Sequence, residues 1–319
     1  MHRRDFIGTT GKAGMFMAFA GGGLMGSDFL KSIGRKEDFP ISLAQWSLSR
    51  SIFAKKLAAL DFAKKAKELG FDAIEYVNQL YQVDAANKTA SIAALAKELK
   101  KRSDGEGVKN VQVMVDNEGG LCDADKTKRG EAVDNHKRWI DASKELGCIS
   151  TRVNLFGDTD KDPAKWHAMG VESLSRLAEY AAPLELNVVV ENHGGLSSDA
   201  GKLAAVMKAI GKSNCGTLPD FGNFCVRREG DAPWGKPCVE QYDIYKGTAE
   251  LMPYAKGVSA KTFDFNEKGD EATIDYVRLG KIIRDSGFKG YLGIEYEGDH
   301  LGEEEGILAT RKLVEKIFH

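Results

Sequence analysis

The chain has 319 residues, 42% of them hydrophobic and 29% charged, which is the make-up of an ordinary globular protein. Its formal net charge of −2 and isoelectric point near 6.3 argue against a nucleic-acid binder, which presents a basic face to phosphates. No basic run is long enough to mark a polyphosphate or anionic-membrane surface.

The N-terminus differs from the rest. MHRRDFIG followed by TTGKAGMFMAFAGGG sets a basic tip before a short, glycine-rich apolar stretch. It resembles a twin-arginine export signal, with Arg3 and Arg4 as the pair, Phe6 and Ile7 after them, and Ala18-Phe19-Ala20 as a cleavage site. A membrane span takes about 20 apolar residues, more than this stretch offers. Residues 1–37 therefore read as an export signal and flexible leader, and residues 38–319 as a single domain. The expected location is the periplasm, with no stable membrane insertion after export. The five cysteines (Cys122, Cys148, Cys215, Cys225, Cys238) show no metal-type spacing and read as core or loop thiols. A disulfide among Cys215, Cys225 and Cys238 stays open, since an oxidising compartment permits one.

From residue 39 short apolar runs alternate with amphipathic stretches. ISLAQWS (41–47) precedes the helical LDFAKKAKELG, and DAIEYV (72–77) precedes IAALAKELKKR. NVQVMV (110–115) leads to HKRWIDASKELG, ISTRVN (149–154) to GVESLSRLAEYAAPL, and NVVVEN (187–192) to LAAVMKAIG. CGTLPD (215–220), GVSAK (257–261) and YLGIEY (291–296) precede YKGTAELMPYA, VRLGKIIRDSG and a last helix over 303–318. Gly70, Gly147, Gly211 and Gly287 sit where helices should stop. Eight such units predict an α/β fold, a (β/α)8 TIM barrel. An open doubly wound sheet is the alternative, but no GxGxxG-type turn follows the first strand. The segment from Phe221 to about Gln241 reads as a loop over the barrel mouth.

Barrel strands alternate between lumen and helical shell. The apolar parity turns Glu75, Glu191, His193, Gly293, Glu295 and Glu297 inward, sets Arg152 and Asn154 on one face, and leaves Asp220 and Lys261 at strand ends. The C-terminal mouth, where barrel enzymes carry their active sites, thus gathers Glu191, Asp220, Lys261 and Glu295. Ionisable groups converging there must be paired, metal-bound or shifted in pKa. Two arrangements are consistent. A divalent metal (Mn, Co, Zn or Mg) sits on Glu191, Asp220 and Glu295 while Lys261 balances charge, or the Lys261 ammonium itself takes the cationic position.

At VVVENHGG, TLPDFGNF and YLGIEYEG, with weaker support from GFDAIEYV and GCISTRVN, the sequence resembles the sugar phosphate isomerase/epimerase superfamily of xylose isomerase-like barrels. The resemblance implies metal ligands at Glu191, Asp220, position 261 and Glu295. It also implies an acid/base pair, Glu191 and Glu295, working next to a carbonyl while a cation holds the enediolate oxygen. Where that family commonly has His-x-His-x-x-Asp, this chain has Ser259, Ala260, Lys261, Thr262, Phe263 and Asp264. Both histidines are gone, so Lys261 is expected to meet the carboxylates and stand in for the cation. His193 and Asn223 are expected to bind substrate hydroxyls, and Arg152 to orient substrate or to hold Glu75. Asn154, Glu75 and Trp234 are further binding candidates, and Trp46, Trp234 and Phe224 are candidates for a sugar platform.

The expected activity is isomerisation or epimerisation of a free sugar, keto-sugar or glycoside derivative, with no glycine-rich phosphate cradle to favour a sugar phosphate. A lyase or dehydratase would use the same pair. A non-catalytic sugar-binding barrel is the reading of another class, and a homo-oligomer is left open. A Schiff-base lysine is disfavoured because neighbouring acids raise its pKa. An endonuclease with several metals is disfavoured by the scarcity of histidines, six in all.

Overall fold

A computed structural model describes residues 39–319; the export-signal reading falls on residues outside that range. Eight parallel strands form the central sheet: β1 Ile41–Ala44, β2 Ala73–Val77, β3 Lys109–Met114, β4 Ser150–Val153, β5 Asn187–Glu191, β6 Cys215–Leu218, β9 Val258–Thr262 and β10 Leu292–Tyr296. They run in the order β6-β5-β4-β3-β2-β1-β10-β9. Parallel bridges Thr217↔Ala255 and Asp220↔Ser259 join the two ends, so the sheet curls shut as a TIM barrel. Ser259 N–H donates to Pro219 O at 2.9 Å and Phe221 N–H to Ser259 O at 3.2 Å, which places Asp220 beside Ser259 and Lys261 at this seam.

Each expected strand is present within a few residues. The first is shorter than ISLAQWS suggests, because Gln45–Leu48 turns into a 3-10 helix. The shell helices are α1 Ser49–Phe53, α2 Phe62–Glu68, α3 Lys88–Glu106, α4 Lys126–Leu146, α5 Pro163–Ala181, α6 Ala200–Ile210, α7 Ile244–Leu251, α8 Tyr276–Asp285 and α9 Glu303–Phe318. Aspartate side chains cap α4 to α8 in turn: Asp125, Asp162, Asp199, Asp243 and Asp275 each accept from a first-turn N–H. Gly147 and Gly211 end α4 and α6 in the left-handed region, a conformation that carries no Cβ penalty for glycine. Apolar strand residues such as Ile74, Val113, Val188, Ile294 and Leu292 pack outward against the helices. Among the described residues no helix is long and apolar enough to cross a membrane.

The segment expected as a loop over the mouth contains structure of its own. β7 Cys225–Arg228 pairs antiparallel with β8 Cys238–Gln241, and a Cys225–Cys238 disulfide ties the hairpin across a separation of 13 residues. Cys122, Cys148 and Cys215 are free and buried. Phe224 is not on a sugar platform: it is fully buried and packs against Gly247, where a Cβ would approach its ring to 2.3 Å.

Candidate functional site

The lowest polar layer of the barrel lies beneath the mouth. Ser42 Oγ and Gln112 Nε2 donate to the two oxygens of Glu75 at 2.5 and 2.6 Å, and a Cβ on Gly293 would stand 2.5 Å from Glu75 Oε1. Burial raises the Glu75 carboxyl above its ordinary value. Arg152 does not hold it, contrary to one expectation from sequence. The guanidinium instead lies 2.7 Å from Asp116 and 3.0 Å from Glu191. Glu75 is thus a buried lumen residue below the binding cavity rather than part of its wall.

One layer higher the expected residues converge. Oxygens of Glu191, Asp220 and Glu295 lie within 4.8 Å of one another, all three residues buried. Lys261 Nζ stands 3.3 Å from Asp220, 3.7 Å from Glu295 and 3.2 Å from Glu297. The strand register explains this meeting, since Glu295 pairs with Lys261 across β10 and β9. Lysine burial by itself lowers the ammonium pKa, but Asp220, Glu295, Glu297 and Glu191 outweigh it and hold Lys261 charged, well above its ordinary value.

Protons are distributed unevenly among these acids. Ser259 Oγ lies 2.6 Å from Asp220 Oδ2 and 2.8 Å from Glu295 Oε2. A hydroxyl has one proton to give, so both contacts are hydrogen bonds only when one of the two carboxyls is protonated. Burial first, then neighbouring acids, drive Glu295 well above the usual carboxylate range against the pull of Lys261. Asp220, buried as deeply, is raised to about 6. Its Oδ1 keeps two backbone donors, Gly222 N–H and Asn223 N–H, both at 2.8 Å. Glu295 is therefore the carboxyl that holds the proton. Glu297 goes the other way: burial favours its neutral form, but Lys261 prevails and the group sits below its ordinary value.

A cavity of about 470 Å³ opens above this cluster, within the roughly 300–1,000 Å³ usual for small-molecule sites. Lys261, Glu295 and Glu297 face it with Arg152, Asn154, His193, Asn223, Trp46 and Trp234. Glu191 and Asp220 lie just beneath, and Asn223 links the two levels by donating to Glu191 at 2.9 Å. Asp116 and Phe156 also line the cavity and were not singled out from the sequence. Asp116 ends the run NVQVMVD in register with Gln112 and Met114, so the inward parity of β3 carried the signal.

Asp116 also sets the orientation of His193. It accepts from Asn154 Nδ2 at 2.6 Å, which leaves Asn154 Oδ1 to accept from His193 Nδ1–H at 3.0 Å. That bond fixes the tautomer and leaves Nε2 as an acceptor. Burial, then the charge on Arg152, lowers the His193 pKa to about 3. A lowered histidine contributes stability that is complete above its unfolded value of 6.5 and is lost as pH falls towards about 3. Nitrogen-15 NMR should show a neutral, Nδ1-protonated His193 ring throughout pH 5–8; a ring that titrates near pH 6 would contradict this network.

The fold and the site together define a (β/α)8 barrel with an acid–base cluster buried at its C-terminal mouth. The family profile of the xylose isomerase-like TIM barrel matches residues 63–317, and the chain belongs to that family. No curated protein shows significant sequence similarity to it. Solved structures do resemble it. D-psicose 3-epimerase from Clostridium cellulolyticum H10, solved with D-tagatose, is 14% identical with a TM-score of 0.62 over 88% of this chain and 99% of that one. The 3-keto-D-glucoside 4-epimerase of E. coli is 14% identical with a TM-score of 0.61, covering 88% and 100%. An IolI protein with a bound zinc atom is 13% identical with a TM-score of 0.63, covering 88% and 98%. At these identities the likeness speaks for the fold.

A resident divalent metal, which the family implies, is tested by the donor set. Every oxygen of the acidic triad already meets a protein partner: Asn223 and Arg152 on Glu191, two backbone amides, Ser259 and Lys261 on Asp220, and on Glu295 Lys261 together with Ser259, which accepts the Glu295 proton. No imidazole joins them, since His193 is turned to Asn154. With Lys261 lodged among the carboxylates, the residues present do not fit a metal ion.

Proposed function

We propose that this protein moves a proton at a carbon next to a carbonyl in a neutral keto-sugar or glycoside derivative, as an isomerase or epimerase. The observation that carries the reading is the Lys261 ammonium, held charged between Asp220, Glu295 and Glu297 at the floor of a sugar-sized cavity. Lys261 donates to the carbonyl oxygen and stabilises the negative charge that develops there. Glu191 accepts the proton as the C–H bond breaks; the C–H electron pair forms the new C=C bond while the carbonyl π pair moves onto the oxygen, giving an enediolate. Protonated Glu295 returns a proton to carbon. His193 Nε2 and Asn223 take substrate hydroxyls, and Arg152 holds Glu191 in place. The likeness in fold to sugar epimerases supports the substrate class.

β-Elimination uses the same first step and differs only in whether the enediolate, re-forming its carbonyl, expels a group on the next carbon, which leaves with its bonding pair and takes a proton. A non-catalytic sugar-binding barrel is a second reading, favoured by the same saturation of the triad's oxygens. The test is proton exchange in D2O, followed by proton NMR on D-fructose, D-tagatose, L-ribulose and a 3-keto-glucoside. Deuterium appearing at a carbon next to the carbonyl, with product or without, supports the enzyme. Binding of these sugars with no exchange would leave only the binding module. We also place the protein in the periplasm; the Cys225–Cys238 disulfide supports an oxidising compartment, in keeping with the twin-arginine-type N-terminus.

A further inference from the structure

A second cavity of about 710 Å³ adjoins the first, and the two share Phe156 and Trp234 as a common wall. The wall is built. Trp234 lies in the loop of the β7–β8 hairpin that the disulfide closes, with its ring 4.7 Å from His193 and 6.3 Å from Phe156. Gly194, at φ +87°, passes beneath it, and a Cβ there would come within 3.2 Å of the indole. Trp234 is nonetheless 44% exposed, so an aromatic face borders both cavities.

The charges of the second cavity describe its ligand. Lys161 is paired with Asp231, Arg227 with Glu240, and Lys202 with Asp199. Three of the four basic side chains of the wall are neutralised in this way, and the fourth, Arg228, donates to Lys236 O at 2.9 Å and lies over the Trp234 ring, which leaves little free charge for an anionic ligand. Asp160, also in the wall, has a buried oxygen, Oδ1, with no hydrogen-bond partner. Burial first raises its carboxyl to about 6. That oxygen is closed off from the cavity, so a ligand meets Asp160 only through the rest of its half-buried carboxyl, which a hydroxyl approaches without bringing charge. Aromatic surface with a few polar groups is the usual lining of a small-molecule site.

We infer that the second cavity is a subsite for a second neutral glycosyl unit, so that the substrate is a disaccharide or related glycoside whose reacting ring lies over Lys261. Trp234 and Phe156 pack against the junction of the two rings, and Asp160 accepts a hydroxyl of the outer one. This inference rests on the sugar-processing reading above for the identity of the inner ring.

Calorimetric titration with cellobiose, maltose and sucrose against D-glucose and D-fructose tests it. At least one disaccharide should bind ten or more times tighter than its monosaccharides. Ala232→Trp, which fills the second cavity from its wall, should reduce that preference to within twofold while monosaccharide binding holds. Asp160→Asn should weaken the disaccharide alone, by about three- to tenfold, and keeps the shape of the side chain. Equal affinity for one ring and two, no disaccharide binding at all, or a preference that survives Ala232→Trp would overturn the subsite. Failure of the catalytic reading looks different: the disaccharide preference persists and deuterium exchange is absent.

Discussion

Lys261→Met should destabilise the fold by about 3–5 kcal/mol at pH 7.5 and cut deuterium exchange at least a hundredfold. The methionine fills much of the same volume, so the loss is electrostatic rather than a cavity. Removing one partner of a buried ionic group leaves the others uncompensated, and that costs several kcal/mol. Here the abandoned partners are Asp220, Glu295 and Glu297, all within 3.7 Å of the ammonium. Lys261 has its pKa raised on folding, so its stabilisation is complete below its unfolded value of 10.5 and fades only above it. Urea unfolding at pH 7.5 and pH 5 is the check. The deficit should narrow at pH 5, because carboxyls without a cation take up protons and cease to repel. A deficit that is equal at both values would mean that packing, not charge, holds Lys261.

Glu295→Gln should separate chemistry from stability. Exchange should fall by about 100- to 10,000-fold, the usual weight of a positioned acid or base. At pH 4, below the unfolded value of 4.5, stability should change by less than about 1 kcal/mol, because glutamine keeps the shape of a protonated carboxyl. The pH dependence has a definite sign. A carboxyl raised on folding contributes stability that is complete below its unfolded pKa, 4.5 for Glu295, and is lost as pH rises through the folded value. The variant has nothing to ionise there, so its stability relative to wild type should improve as pH increases. A variant clearly destabilised at pH 4 that still exchanges protons at the wild-type rate while folded would assign Glu295 a structural role.

The sequence carried the barrel because its strands obey a period of two and its helices one of 3.6, and each strand except the first ended close to where its apolar run did. Parity and strand ends also located the site: Glu191, Lys261 and Glu295 lie on β5, β9 and β10, and Asp220 lies just beyond β6, bridged to Ser259 across the seam. Partner choice was less legible. Arg152 has the expected direction, yet whether it meets Glu75 below or Asp116 beside it depends on the stagger of β2 and β3, where the register shifts between Ile74 and Glu75. The second cavity left little trace, since it depends on the Cys225–Cys238 pairing and on the hairpin that carries Trp234 to His193.

In the proposed reaction an ammonium, not a metal ion, supplies the positive charge for proton transfer. The most direct test of this is the rate of deuterium incorporation into a responsive keto-sugar before and after exhaustive chelation, with elemental analysis of the same samples. Less than about a tenth of an equivalent of metal, and a rate unchanged within twofold, are expected. A rate abolished by chelation and restored by manganese, cobalt, zinc or magnesium would contradict that role of the ammonium, and would return Lys261 to the part of a counter-charge beside a metal centre.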